Sequence, residues 1–295
     1  MSQPRRRPSP TRRVRLLPAL VLAAVLAAVV VGAWFQFGER QALDTVHSAG
    51  STGPDRVDVV ATLQRVDAAG REMLVRVQVA PRGALADADG VSPAEDLTLQ
   101  TSTATRGDLT FKAQQRISSV DVPVALTGGS IADYPFDSYE TSVEFGAVSG
   151  GAKVPVRVLF SNNDVSFSAA VDASSAEGVA LLDIGLARSN SVLFFAVFMM
   201  IAMWALAVSV LIGGWYLVTR RKGLTWPALG WMAATLFALA AFRNTAPGTP
   251  PIGCLLDYLA FLWAEMIVAF SLITVVVMGI RAEPPADNEV SAPTS

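Results

Sequence analysis

The sequence predicts an α-helical membrane protein of four transmembrane helices with an inserted extracytoplasmic all-β domain, a β-sandwich. Three observations predict it. Of 295 residues, 52% are hydrophobic and only 16% charged, whereas soluble domains are about a quarter charged. Four stretches, 16–35, 191–218, 224–242 and 258–280, are apolar over lengths suited to a hydrocarbon core of about 30 Å. Between the first and second of them, apolar and polar residues alternate in short bursts, as in strands with one buried face.

The first stretch follows a basic segment, 1–15, that holds six arginines (Arg5, Arg6, Arg7, Arg12, Arg13 and Arg15) and no acid. Positive charge stays on the cytoplasmic side, so 16–35 is expected to be a signal anchor leaving the cytoplasm. A cleaved signal peptide is the competing reading, with Val31-Gly32-Ala33 as a small-residue cleavage site. Thr11-Arg12-Arg13-Val14-Arg15-Leu16-Leu17 also resembles a twin-arginine export signal, with an arginine where that pattern has an aromatic or apolar residue.

Residues 36–190 carry twelve Arg or Lys against twenty Asp or Glu, a local balance of −8. Rows such as Val57-Val59-Ala61-Leu63, Val75-Val77-Val79, Val120-Val122-Val124-Leu126, Tyr139-Thr141-Val143-Phe145, Val154-Val156-Val158-Phe160 and Val165-Phe167-Ala169-Val171 predict eight or nine short strands. Asp67 to Gly70 reads as a hairpin turn. His47 falls in a Gly/Ser-rich linker. With one cysteine, Cys254, and one histidine, the domain has no internal disulfide and no zinc cluster, and packing alone must hold it.

Arg220-Arg221-Lys222 separates the second and third apolar stretches, and Arg281 follows the fourth. Both sites are therefore expected inside, with both termini cytoplasmic and the β domain outside a plasma membrane. The tail, 281–295, is rich in Pro, Ala and acid and is expected to be disordered.

Candidate functional residues are few. Glu265 lies seven residues after Tyr258, about 10 Å into the last apolar stretch. An ionisable residue at that depth is either a packing element facing the bundle or part of a proton or ion path. The loop after the third stretch, Arg243-Asn244-Thr245-Ala246-Pro247-Gly248-Thr249-Pro250-Pro251-Ile252-Gly253-Cys254, has a backbone constrained by three prolines and two glycines and ends near Asp257. Arg243 is placed to pair with Asp257 or to reach toward Glu265. Tyr134-Pro135-Phe136-Asp137 leads into a strand as a rigid corner, with Phe136 expected to pack beneath the loop and Asp137 to bind turn amides. Asp87-Ala88-Asp89-Gly90 imitates the centre of a calcium loop, but Leu85 replaces the first ligand and Pro93 interrupts it, so a solvated acidic turn is expected. No Ser-His-Asp arrangement and no phosphate-cradling glycine motif is visible, and no cofactor is expected.

The residues from Leu224-Thr225-Trp226-Pro227 through Arg243-Asn244-Thr245-Ala246-Pro247-Gly248 and Pro250-Pro251-Ile252-Gly253 to Asp257 and Trp263, with Tyr134-Pro135-Phe136-Asp137, resemble an uncharacterised actinobacterial membrane-protein family catalogued only as a domain of unknown function. The resemblance implies the topology and designates no active residue. Tyr134 to Asp137 also resembles the proline-phenylalanine-aspartate loop of pentameric ligand-gated channels, whose sandwich precedes four membrane helices where three are expected here.

The functional expectation is a non-enzymatic envelope-binding, sensory or scaffold protein acting through its β domain. Its partners are the lipid bilayer and an envelope component or membrane protein, with oligomers allowed and no nucleic acid. The alternatives are an oligomeric channel or transporter with Glu265 lining the path, and a membrane-embedded enzyme using Glu265 and Asp257.

Overall fold

Val57, Val59, Ala61 and Leu63 point to one side of strand β2 (Arg56–Asp67), and all four are buried. The same two-residue period buries Met73, Val75, Val77 and Val79 on β3 (Glu72–Arg82) and Leu182, Ile184 and Leu186 on β11 (Val179–Arg188). These rows face one another across a single apolar core between two sheets. The structure, a computed structural model, describes residues 22–23, 26–34, 37–38, 45–102, 107–176, 178–220, 223 and 225–282.

The first sheet has the order β1 (His47–Gly50), β9 (Val156–Asn162), β2, β3, β6 (Val120–Ala125). Only β2 and β9 run parallel in it. The second sheet has the order β10 (Phe167–Ala176), β11, β7 (Ser138–Ser149), β4 (Leu97–Thr101), β5 (Leu109–Phe111), with β8 (Ala152–Val154) beside β7. Asp67 and Glu72 close the β2/β3 hairpin, where Asp67 Oδ1 accepts from the Gly70 amide. The eleven strands among the described residues exceed the expected eight or nine because β5 and β8 are three residues long and β1 forms in the segment read as a linker. His47 therefore sits in a ladder, opposite Phe160. Val165 is exposed, and its strand begins only at Phe167.

Strand β11 passes into helix α1 (Asn190–Thr219) with no linker, Ser189 being the N-cap. Helix α2 (Trp226–Arg243) follows, then a single π-helical turn (Asp257–Phe261) that continues as α3 (Leu262–Ala282). A π turn leaves carbonyls outside the α-helical ladder. Two indoles take them: Trp204 Nε1 donates to Leu259 O at 3.0 Å and Trp263 Nε1 to Tyr258 O at 2.7 Å. Gly214 of α1 faces the other two helices, since a Cβ there would stand in ordinary contact, 3.4–3.6 Å, with Val275, Met232 and Ser271. With the Trp204–Leu259 contact, this makes α1 and α3 run in the same direction. Helix α2 returns between their ends, its last residue, Arg243, meeting Asp257.

The expectation of four transmembrane helices does not stand. Among the described residues, two helices are long and apolar enough to cross a membrane, Asn190–Thr219 and Asp257–Ala282. The apolar stretch 224–242 becomes α2, whose 18 residues span about 27 Å. It opens on Trp226-Pro227 and includes Arg243, so it is less apolar than the two helices that qualify. The stretch 16–35 lies partly outside the described residues, and its described residues 22–23 and 26–34 are helical. The expectations for 1–15, 221–222 and 283–295 fall on residues outside those described.

Candidate functional site

Strands β7 and β11 pair antiparallel up to Ser138 opposite Ala187, with Tyr139 opposite Leu186 facing the core. One step further the same phase turns Asp137 and Arg188 inward. Arg188 Nε donates to both carboxylate oxygens of Asp137 at 2.9 and 3.1 Å, and Nη2 donates to Oδ2 at 3.0 Å. Both side chains are almost fully enclosed, at 3% and 0% exposure. Tyr139 Oη donates to Asp137 Oδ2 at 3.0 Å. The guanidinium also lies 4.2 Å from the Phe167 ring centre and 5.1 Å from that of Tyr134. Burial, then the neighbouring Asp137 charge, push the Tyr139 phenol well above its ordinary value.

A second buried ion pair stands at the head of the helices. Arg243 Nε and Nη2 donate to the two oxygens of Asp257, each at 2.7 Å, in the bidentate form that suits a guanidinium and a carboxylate. Nη1 donates to Pro250 O at 3.1 Å and Nη2 to Pro251 O at 2.8 Å. The Gly253 amide donates to Asp257 Oδ2 at 2.7 Å. The proline-rich loop is thus shaped around Arg243, because prolines offer carbonyls but no backbone N–H. Cys254 is enclosed beside this pair, and burial pushes its thiol up.

Tyr134 connects the two pairs. It belongs to the segment that enters β7, yet its fully buried ring packs in the helix-bundle core with Ala246, Cys254 and Leu256. Its carbonyl accepts from the Leu256 amide at 3.2 Å. Its hydroxyl has no partner among the described residues. Burial pushes the phenol up to about 12. Tyr134 turns inward within this turn, whereas Phe136 turns out and is 55% exposed, a correction to the packing beneath the loop that the sequence predicts.

Of the residues singled out from sequence, Arg243 and Asp257 come together, and Asp137 joins Arg188. Among the described residues Asp137 binds the Arg188 and Tyr139 side chains and no turn amide. Asn244 is the exposed C-cap of α2 and belongs to neither pair. Glu265 lies eight residues beyond Asp257, about 12 Å along the helix, half-buried and without a hydrogen bond or ion pair among the described residues. Arg188 and Tyr134 were missed as site residues. The available signal was parity: Arg188 continues the inward row Ala180-Leu182-Ile184-Leu186, and Asp137 continues the row of Tyr139, Val143 and Phe145. Among the described residues no group of three or more His, Cys, Asp or Glu is placed to hold a metal ion. Asp89 instead accepts from the Val91 and Ser92 amides within its turn.

Residues 47–186 match the family model described as a domain of unknown function, DUF4436, and residues 188–282 match a second, DUF8686. Both are domains of unknown function. The seam between these matches falls at Ala187, so the Asp137–Arg188 pair joins the DUF4436-like segment to the DUF8686-like one. No curated protein matches the chain.

Proposed function

We propose that the protein is a plasma-membrane protein whose α1 and α3 cross the bilayer, with the less apolar α2 returning the chain between their ends, and whose sandwich, on the outer side, binds an envelope component or a membrane-protein partner as a sensory or scaffold element. The carrying observation is the junction: Tyr134, on the segment that enters β7, packs its ring in the helix-bundle core and accepts from the Leu256 amide, between a buried ion pair at the end of the sandwich and another at the head of the helices, and α1 starts directly after β11 with Ser189 as its N-cap. A domain so attached passes force or displacement from a bound partner into the helices. The outer face of the second sheet offers a cleft of about 580 Å³ lined by Glu140, Asp172 and Asp183. Asp172 and Asp183 are cross-strand neighbours, and facing like charges cost stability unless a cationic group is supplied.

Alkaline carbonate extraction and melting of the full-length protein test this reading. Retention in the membrane and one cooperative transition, seen by both sandwich and helix signals, are expected. Release by carbonate sinks the membrane assignment. A sandwich that melts independently of the helices sinks the coupling.

Glu265 supports a second reading, an oligomer in which α3 meets another copy and the carboxyl lines a path between subunits. An unpartnered carboxyl within an apolar helix is costly unless a neighbour or water reaches it. Mass in detergent and ion flux in reconstituted vesicles discriminate, since a monomer without flux removes this reading.

A further inference from the structure

A cleft of about 270 Å³ opens at the edge of the junction, between the β2 end, Ser166-Phe167 and the proline-rich loop. Arg188 is part of its lining. Asp137 occupies Nε and Nη2 of Arg188, whereas Nη1 has no acceptor among the described residues. The guanidinium is therefore both locked in place and left with unspent donors. Gly248 borders it closely: a Cβ at that position would lie 2.7 Å from Nη1. Arg65, exposed on the same lining, has no hydrogen bond or ion pair among the described residues. Ser166 adds a hydroxyl. The single carboxylate of the lining, Asp67, is held by the Gly70 amide. Thr249 at the rim keeps a φ of 42°, a conformation a β-branched residue rarely adopts.

The depth of the cleft is marked by its surroundings. Val165, Phe136 and Ile252 are 67%, 55% and 88% exposed where the sandwich meets the helices, so apolar side chains point outward at the level at which α1 begins. Two guanidinium groups beside a hydroxyl suit a phosphate, whose oxygens accept several charge-assisted hydrogen bonds.

We propose that this cleft binds a phosphate group, supplied by the headgroup of an anionic phospholipid at the boundary between sandwich and bilayer. The lipid as source rests on the membrane reading above. The phosphate chemistry does not.

The test uses full-length protein in an uncharged detergent. Inorganic phosphate and glycerol phosphate are titrated while the melting temperature is followed. Retention of phosphatidylglycerol against phosphatidylcholine is measured by native mass spectrometry after extraction from mixed nanodiscs. Saturable stabilisation by phosphate and preferential retention of phosphatidylglycerol are expected, with Arg65→Gln weakening both by about tenfold. Arg65 is exposed, so this variant should fold as the parent does. Gly248→Ala, which intrudes on Nη1, is expected to weaken binding as well. Unchanged phosphate binding in both variants, or no binding by the parent, overturns the site. Phosphate binding lost in Arg65→Gln without lipid discrimination overturns the lipid source alone. Release of the protein by carbonate would sink the membrane reading while leaving the detergent titration intact.

Discussion

Asp137 and Arg188 lie one register step beyond the last backbone pair of β7 and β11, and their side chains close the sandwich core with a buried, three-bond ion pair at the point where the chain becomes helix. Desolvation makes such a pair expensive to break from one side. Asp137→Asn or Arg188→Met alone should each destabilise by about 3–5 kcal/mol, whereas Asp137→Leu with Arg188→Met should recover much of that loss. Thermal melts of the three variants in one detergent measure it. Additive losses would show that the two residues act separately.

Tyr134 contributes its ring to the helix core, while its hydroxyl lacks a partner. A buried hydroxyl without a bond is unfavourable by about 1–3 kcal/mol. Tyr134→Phe should therefore be neutral or stabilising, and Tyr134→Ala should cost about 3–5 kcal/mol through the cavity it leaves. A clear loss in the Phe variant would mean that the hydroxyl is bonded.

Four of the five N–H donors of Arg243 are engaged by Asp257, Pro250 and Pro251, and Glu265 stands about 12 Å along the helix from Asp257. A double-mutant cycle between Arg243→Gln and Glu265→Gln should give coupling below about 0.5 kcal/mol. The cycle between Arg243→Gln and Asp257→Asn should give several times that. Glu265→Gln alone should stay within about 1 kcal/mol in the monomer. A loss that grows with protein concentration would instead place Glu265 at a contact between copies.

Cys254 is enclosed by the loop, and burial disfavours its thiolate, the form that reacts. A maleimide at pH 7 should label the folded protein far more slowly than the protein unfolded in denaturant. Equal rates would show that the loop opens freely.

Asp58 sits between Arg56 and Arg82 at 2.7 and 2.9 Å. Burial pushes its carboxyl up, but the hydrogen bonds and charges of the two arginines outweigh burial and hold it below the ordinary carboxylate value. Its folded pKa being depressed, its contribution to stability is present above the unfolded value of about 4 and is lost as pH falls through the folded one. Melting temperatures of the parent and Asp58→Asn should differ near pH 6 and converge below about pH 4. A constant difference across that range would contradict the assignment.

Much of this architecture follows from periodicity alone. The phase of Val57 to Leu63 or of Ala180 to Leu186 decides which side chains face the core, because a strand turns successive residues to opposite sides. The same phase already turns Asp137 and Arg188 inward, and the prolines of the loop, together with the nearness of Arg243 to Asp257 in the chain, mark that pair. Hydropathy was a poorer guide to the third apolar stretch. It averages composition over a window, whereas the helix that forms begins at Trp226 and takes in Arg243, an arginine the apolar stretch excluded. Only tertiary structure could make Asp137 and Arg188 partners, since they are 51 residues apart and meet because β7 and β11 are neighbours. Only it could put Tyr134 into the helix core and Phe136 outside, or leave Nη1 of Arg188 facing a cleft shared with Arg65. Side-chain phase is local and travels with the chain; which surfaces meet is settled by packing between distant segments, and the candidate site is made where two such segments join.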